Sequence, residues 1–208
     1  QMCIRDRTGL GAVVNINPTQ GNSTVVHTPG GKSAELKSQF KVKFAAASLY
    51  TGSFGSLVGM NGAKIKFGRS FASRPFALHG FFQYAPVAVT HIGDNQPAGT
   101  LSKGDMDVCS IYIALAKESY TVDNTKAETF IQFKTDNNII AYGELPLKEC
   151  VSTNGTWKEF TIDLEYKTLE KPNDMYLIVV ASASKYGDYF TGGDGSILYV
   201  DDFELIYD

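Results

Sequence analysis

The sequence breaks again and again into short apolar runs with a two-residue period, and this constrains the fold more than any other feature. The runs are "SAELKSQFKVKF" (33–44), "AKIKFG" (63–68), "FALHGFFQYAPV" (76–87), "MDVCSIYIALA" (106–116), "AETFIQFKT" (127–135), "NIIAYGEL" (138–145), "TWKEFTIDLEYK" (156–167), "DMYLIVVASAS" (174–184) and "SILYVDDFELIY" (196–207). Most are rich in Val, Ile, Phe and Tyr and are bounded by Gly, Pro, Asn or Asp, so they predict strands. No long apolar stripe at helical spacing competes with them; "SYTVDNTKAETF" (119–130) predicts at most a short helical turn. Many strands joined by short links, without alternating helices, predict an all-β sandwich.

Two runs show how such a sandwich closes. In 156–167, Phe160, Ile162, Leu164 and Tyr166 share one face, and Trp157, Glu159, Thr161, Asp163 and Glu165 share the other. Successive side chains point to opposite faces, so the first set predicts a core face and the second a solvent or ligand face. In 175–181 both faces are apolar, which predicts a central strand.

The chain has 208 residues, 43% of them hydrophobic, enough for one domain to bury a core without staples. We read 33–208 as that domain and 8–32 as N-terminal loops with one possible early strand. Residues 1–7, "QMCIRDR", have neither a strand nor a helix period and no apolar signal core. They resemble translated sequencing-adapter DNA and are expected to be non-native, with the true N-terminus, an export signal and neighbouring domains lost. The net charge of -3 offers no bulk attraction to nucleic acid or an anionic membrane, and no apolar stretch reaches the length of a membrane-spanning helix. Cys109 and Cys150 form no C-x-x-C pair; Cys109 reads as a small core residue, and a Cys109–Cys150 disulfide is open in an oxidising compartment.

The last run poses a problem. Its alternation puts Asp201 on the face of Ile197, Tyr199, Phe203, Leu205 and Tyr207. An unpaired carboxylate on an apolar face costs several kcal/mol. Asp201 can be satisfied by protein hydrogen bonds, or Asp201 and Asp202 can ligate a calcium ion, with Glu35 a candidate partner. Alternatively the strand bulges there and turns both carboxylates outward.

Candidate binding residues lie mostly in loops, which carry function when a rigid scaffold holds them. "KYGDYFTGG" (185–193) places Tyr186, Tyr189 and Phe190 beside Asp188, and "SLYTGSFGS" (48–56) places Tyr50 among small residues. Flat rings beside hydrogen-bonding side chains suit a sugar, which offers apolar C–H faces and hydroxyls. Trp157, the single tryptophan, is either such a platform or an edge cap of the sandwich. Arg69 and Arg74 in "FGRSFASRP" (67–75) are either ion-pair partners, Asp201 included, or contacts for an acidic sugar. No pair among Glu118, Glu128, Glu144, Glu159 and Asp163 stands out as catalytic, and Glu144, ending an apolar strand beside a glycine, is the most suggestive. The three histidines lack metal-binding spacing.

"KFGRSFASRPFALHGFFQYAP" (66–86), "IIAYGEL" (139–145), "GTWKEFTIDLEY" (155–166) and "VVASASKYGDYFTGGDGSILYVDDFELIYD" (179–208) resemble the putative carbohydrate metabolism domain family, found mostly in surface or secreted proteins of gut Bacteroidetes. The resemblance covers roughly 33–208. It implies a jelly-roll β-sandwich of two antiparallel sheets, galactose-binding-like, as in many carbohydrate-binding modules; it supplies no catalytic residues. In such modules acidic residues of the last strand often help to hold a structural calcium, and "LYVDDFEL" is similar to that pattern. The resulting expectation is an exported, extracellular, cell-surface or periplasmic domain that binds a poly- or oligosaccharide without altering it. A glycosidase or lyase and a structural or adhesion module are the other classes left open. The expected sugar contacts are Tyr186, Tyr189, Phe190, Tyr50 and Trp157, with hydrogen bonds from Arg69, Arg74 and Asp188.

Overall fold

The computed structural model describes residues 19–59, 61–97, 99–169 and 174–207. The segment 1–7 and most of the expected early strand region, 8–18, lie outside the described residues. In chain order the strands are β1 (Thr19–Asn22), β2 (Ser33–Lys37), β3 (Gln39–Phe40), β4 (Phe44–Ala45), β5 (Ser48–Tyr50), β6 (Gly52–Val58), β7 (Gly62–Phe67) and β8 (Arg69–Phe71). They continue with β9 (Ala77–Ala85), β10 (Ser110–Ala116), β11 (Tyr120–Asp123), β12 (Ile139–Glu144), β13 (Lys158–Asp163), β14 (Glu165–Tyr166), β15 (Met175–Ser182) and β16 (Ile197–Ile206).

Two antiparallel sheets pack face to face as a jelly-roll β-sandwich. One runs β1-β2-β16-β9-β13, and the other runs β14-β12-β10-β15-β5, with β8 also on β15. Leu36, Leu78, Phe82 and Leu198 from the first sheet meet Ile111, Ile113, Leu115 and Val179 from the second. On β13, Phe160 and Ile162 join this core, followed by Leu164, as the two-residue period requires. A three-stranded sheet, β11-β7-β6, supplies Phe67 and Val122 to a second apolar cluster with Ala114, Ile178 and Val180 of the larger sheet. This second layer is why β15 is apolar on both faces: Leu177 and Val179 face one cluster, Ile178 and Val180 the other.

The structure differs from the sequence reading at three places. The run 127–135 is no strand; it forms a 3-10 turn at Ala127–Thr129 and a loop whose aromatic residues pack on the second cluster. The run 33–44 is broken after Lys37 into short pieces. Third, Asp201 does not share the face of Phe203 and Leu205. The register on β9 passes from Asp201 opposite Phe81 to Glu204 opposite His79, so one extra residue is inserted in β16. Before this bulge Leu198 and Val200 point inward, and after it Phe203 and Leu205 do. Asp202 absorbs the distortion with a left-handed φ of 51°.

Both carboxylates at the bulge take protein donors. Asp201 Oδ2 accepts the His27 backbone N–H (2.9 Å), and Asp201 Oδ1 accepts the Asp202 N–H (3.0 Å). Asp202 Oδ2 accepts the Thr28 hydroxyl (2.6 Å) and lies 2.7 Å from His27 Nδ1. His27 in turn stacks on Phe81, with centroids 3.5 Å apart. Glu35, the candidate calcium partner, is instead bonded by Gln20 and Asn22. Among the described residues no three His, Cys, Asp or Glu side chains gather as a metal cage. Both Asp201 oxygens and Asp202 Oδ2 are thus met by groups of the protein itself.

A second carboxylate, Asp107, is 1% exposed. Its Oδ2 accepts Ser184 Oγ–H (2.6 Å), Gly193 N–H (2.8 Å) and Ser196 Oγ–H (2.9 Å), while Oδ1 accepts the Val108 N–H (2.9 Å). Ser184 and Ser196 bracket the loop between β15 and β16, so one buried group ties down both ends. Cys109 and Cys150 are free, buried and side by side, with their mutual hydrogen bond and then burial pushing the Cys109 thiol upward.

Two outcomes are expected. Asp107→Ala strands three donors of the β15–β16 loop and should cost about 3 kcal/mol in denaturant unfolding. At the bulge, the Thr28 and His27 bonds hold the Asp202 carboxyl below its ordinary value. A depressed carboxyl stabilises the fold above the unfolded pKa of about 3.9 and loses that contribution as pH falls through the folded value. The melting-temperature gap between wild type and Asp202→Asn should therefore narrow below about pH 4, and a chelator should leave the wild-type melting temperature unchanged.

Candidate functional site

The outer face of the larger sheet is built from residues that alternate with the core set. On β10 these are Ser110 and Tyr112, on β12 Tyr142 and Glu144, on β15 Val180 and Ser182, and on β5 Ser48 and Tyr50. Register aligns them into two rows. Glu144, Tyr112, Val180 and Tyr50 are cross-strand neighbours in one, and Ser110, Ser182 and Ser48 in the next. With strands about 4.8 Å apart, the rows span roughly 10 to 14 Å. The three serines are small and leave space above the sheet, while Tyr112 and Tyr50 stand on either side of Val180.

Loops raise walls around this floor. Phe130 and Phe133 come from the loop after β11, and Phe133 stacks on Tyr142 with centroids 4.9 Å apart. The β15–β16 loop brings Lys185, Asp188, Tyr189 and Phe190, with Tyr189 edge-on to Phe130 at 4.9 Å. Gly93 presses against this loop so closely that a Cβ there would collide with the Tyr189 carbonyl. Phe190 closes the turn in the left-handed region, φ 57°. Three adjoining cavities result. One of about 250 Å³ lies among Tyr112, Phe133, Tyr142, Glu144, Lys185 and Asp188. One of about 230 Å³ lies among Lys43, Asp94, Asn124, Asp188 and Tyr189. A tighter one of about 110 Å³ sits over Tyr50, Ser110, Ser182 and Asp188. Asp188 lines all three.

Two carboxylates of this cleft, Glu144 and Asp188, live in opposite surroundings. Burial pushes Glu144 up, but Lys185 Nζ at 3.1 Å, the Tyr142 hydroxyl and Lys134 Nζ at 3.5 Å outweigh it and hold the carboxyl below its ordinary value. Asp188 has no hydrogen-bond or ion-pair partner among the described residues. Water reaches its side chain, yet the protein around the cleft lowers the dielectric enough to push it up to about 6. Tyr112, at the floor between them, is pushed upward by burial and by the charges of Asp188, Tyr142 and Glu144.

Of the residues singled out in the sequence, Tyr189, Phe190, Asp188 and Tyr50 come together here. Tyr186 does not line the cavities. Trp157 lies on the far side of the sandwich, edge-on to His27 at 6.0 Å, beside Phe81. Arg74 lies over the Tyr166 ring at 4.1 Å and donates to the Thr168 carbonyl, and so braces β14. Arg69 lines a separate groove of about 760 Å³ that also reaches Asp201 and Asp202. The floor residues Tyr112, Tyr142 and the serines were missed, because they alternate within strands that read as core; only the polar-facing half of "SIYIALA" and "IIAYGEL" hinted at them.

The fold agrees with what the chain is related to. Residues 8–206 match the model of the putative carbohydrate metabolism domain. The chain belongs to that family. Its likeness to solved structures extends to a putative glycoside hydrolase from Bacteroides thetaiotaomicron, 24% identical with a TM-score of 0.72, covering 93% of this chain and 58% of that one. A putative glycoside hydrolase from Bacteroides vulgatus is 23% identical with a TM-score of 0.66, covering 91% of this chain and 77% of that one. The chain thus spans little more than half the length of the first. No curated protein matches. As a putative carbohydrate metabolism domain, the chain is a carbohydrate-related domain.

The raised Asp188 carboxyl has a consequence for stability. A carboxyl whose folded pKa exceeds its unfolded value stabilises the fold at low pH and loses that contribution as pH rises through the folded value, here about 6. Asp188→Asn should melt progressively higher than wild type between about pH 4 and pH 7.

Proposed function

We propose that this domain binds a saccharide chain in the cleft over Tyr112, the serine row and Tyr189. The observation that carries the reading is the pairing of half-buried aromatic rings with hydrogen-bonding groups along one groove: tyrosines at the floor, Phe130 and Tyr189 at the wall, and Lys185, Glu144, Asp188 and Asn124 between them. Such a surface matches both halves of a sugar, its C–H faces and its hydroxyls, and the family's association with carbohydrate metabolism supports it. The domain then serves an exported glycan-capture or glycan-degrading system, outside the cytoplasm, with further domains attached.

Affinity electrophoresis in gels containing xyloglucan, arabinoxylan, β-1,4-galactan or mucin glycans tests this. Tyr189→Ala and Lys185→Ala should weaken retention by about tenfold, roughly 1.4 kcal/mol each. Trp157→Ala, remote from the cleft, should bind like wild type. Loss of binding in Trp157→Ala with full binding in Tyr189→Ala would move the site to the other sheet.

A further inference from the structure

We propose that the cleft also cleaves the saccharide it holds, with Asp188 protonating the glycosidic oxygen and Glu144 acting as nucleophile. This rests on the saccharide-binding reading above. Both carboxylates line the same cavity of about 250 Å³, and Tyr112 on its floor feels the charge of both. They arrive from different elements, Glu144 from the end of β12 and Asp188 from the β15–β16 loop, so a bound ring can be approached by both. Their surroundings give them different tasks. Lys185, Lys134 and the Tyr142 hydroxyl keep Glu144 ionised, which makes it a weak base and a good leaving group from an ester. Asp188 is left without a cation and keeps its proton into the mildly acidic range. Two carboxyl groups with separated affinities for a proton are what glycoside hydrolysis requires. The other charged groups facing Asp188 across its cavities are Lys43 and Asp94, and Lys43 is turned over the Phe190 ring at 4.6 Å.

The steps balance with water as the sole co-reactant. Asp188 gives its proton to the glycosidic oxygen as that oxygen leaves the anomeric carbon, and a Glu144 oxygen bonds to the same carbon. Water then attacks the anomeric carbon, Asp188 takes a proton from it, and the Glu144 ester bond breaks. The products are a sugar with a new reducing end and an alcohol, and both carboxyl groups return to their starting states. The anomeric configuration is retained.

The experiment measures two quantities on the full chain: retention in gels of the four polysaccharides named above, and release of reducing ends from the same polymers. Wild type is expected to bind at least one and to release reducing ends from it, with a rate that falls as pH rises past about 6. Asp188→Asn and Glu144→Gln should lose at least about 100-fold in rate, well beyond any change in their retention. Azide added to Glu144→Ala should yield a glycosyl azide, which a merely structural Glu144 would not. Binding without reducing ends from wild type overturns catalysis and leaves the binding reading intact. Full activity in folded Asp188→Asn, checked by circular dichroism, overturns the assignment of the acid. Failure to bind any of the polymers overturns the saccharide reading itself.

Discussion

The buried carboxylate of Asp107 is the constraint on which the working end of this molecule depends. A charge-bearing group in a core demands donors, and Asp107 draws them from both ends of one loop: Ser184 at the exit of β15, Gly193 and Ser196 at the entry to β16. Burial pushes its carboxyl upward in spite of these bonds, a measure of how far it has left water. The loop gains a fixed position from a group that lies in the core beneath it. Lys185 then reaches Glu144, and Asp188 and Tyr189 stand over the sheet, because the chain on either side of them cannot drift.

The cleft follows from layering. A sheet with one face in a core and the other in water needs only alternating strands, as β13 has. The larger sheet carries a second cover, β6, β7 and β11, over part of its outer face. Where that cover stops, the apolar outer positions Ala114 and Ile178 give way to Ser110, Ser182, Tyr112 and Glu144. The boundary between cover and open floor is the groove, walled by the residues that end the cover.

Strand identity was legible because local period and core face coincide. Phe160, Ile162 and Leu164 could be placed inside from their spacing alone, and the doubly apolar β15 announced its central place. What could not be read was pairing between strands. That Glu144 neighbours Tyr112, and Ser110 neighbours Ser182, is a matter of register over tens of residues, which no local pattern carries. The β16 bulge was one of three solutions the sequence left open, for a related reason: Ile197, Tyr199, Phe203 and Leu205 alternate cleanly on paper. The alternative spacing Leu198, Val200, then Phe203 and Leu205, with one residue too many, was equally present and is the one that buries the core. The loop aromatics Tyr189 and Phe190 were recognisable by composition, whereas a lone tryptophan such as Trp157 says nothing about which sheet it decorates.

The serine row has a wider meaning. Ser48, Ser110 and Ser182 stand abreast on three adjacent strands, and Ser48 donates to Ser182 at 3.0 Å, so the floor is lowest where side chains are shortest. A descendant carrying leucine or phenylalanine at position 110 would fill the trough while leaving the Asp107 anchor of the loop in place. Relatives that share this backbone can therefore diverge in what they accommodate by changing a single floor tile, without touching the frame beneath it.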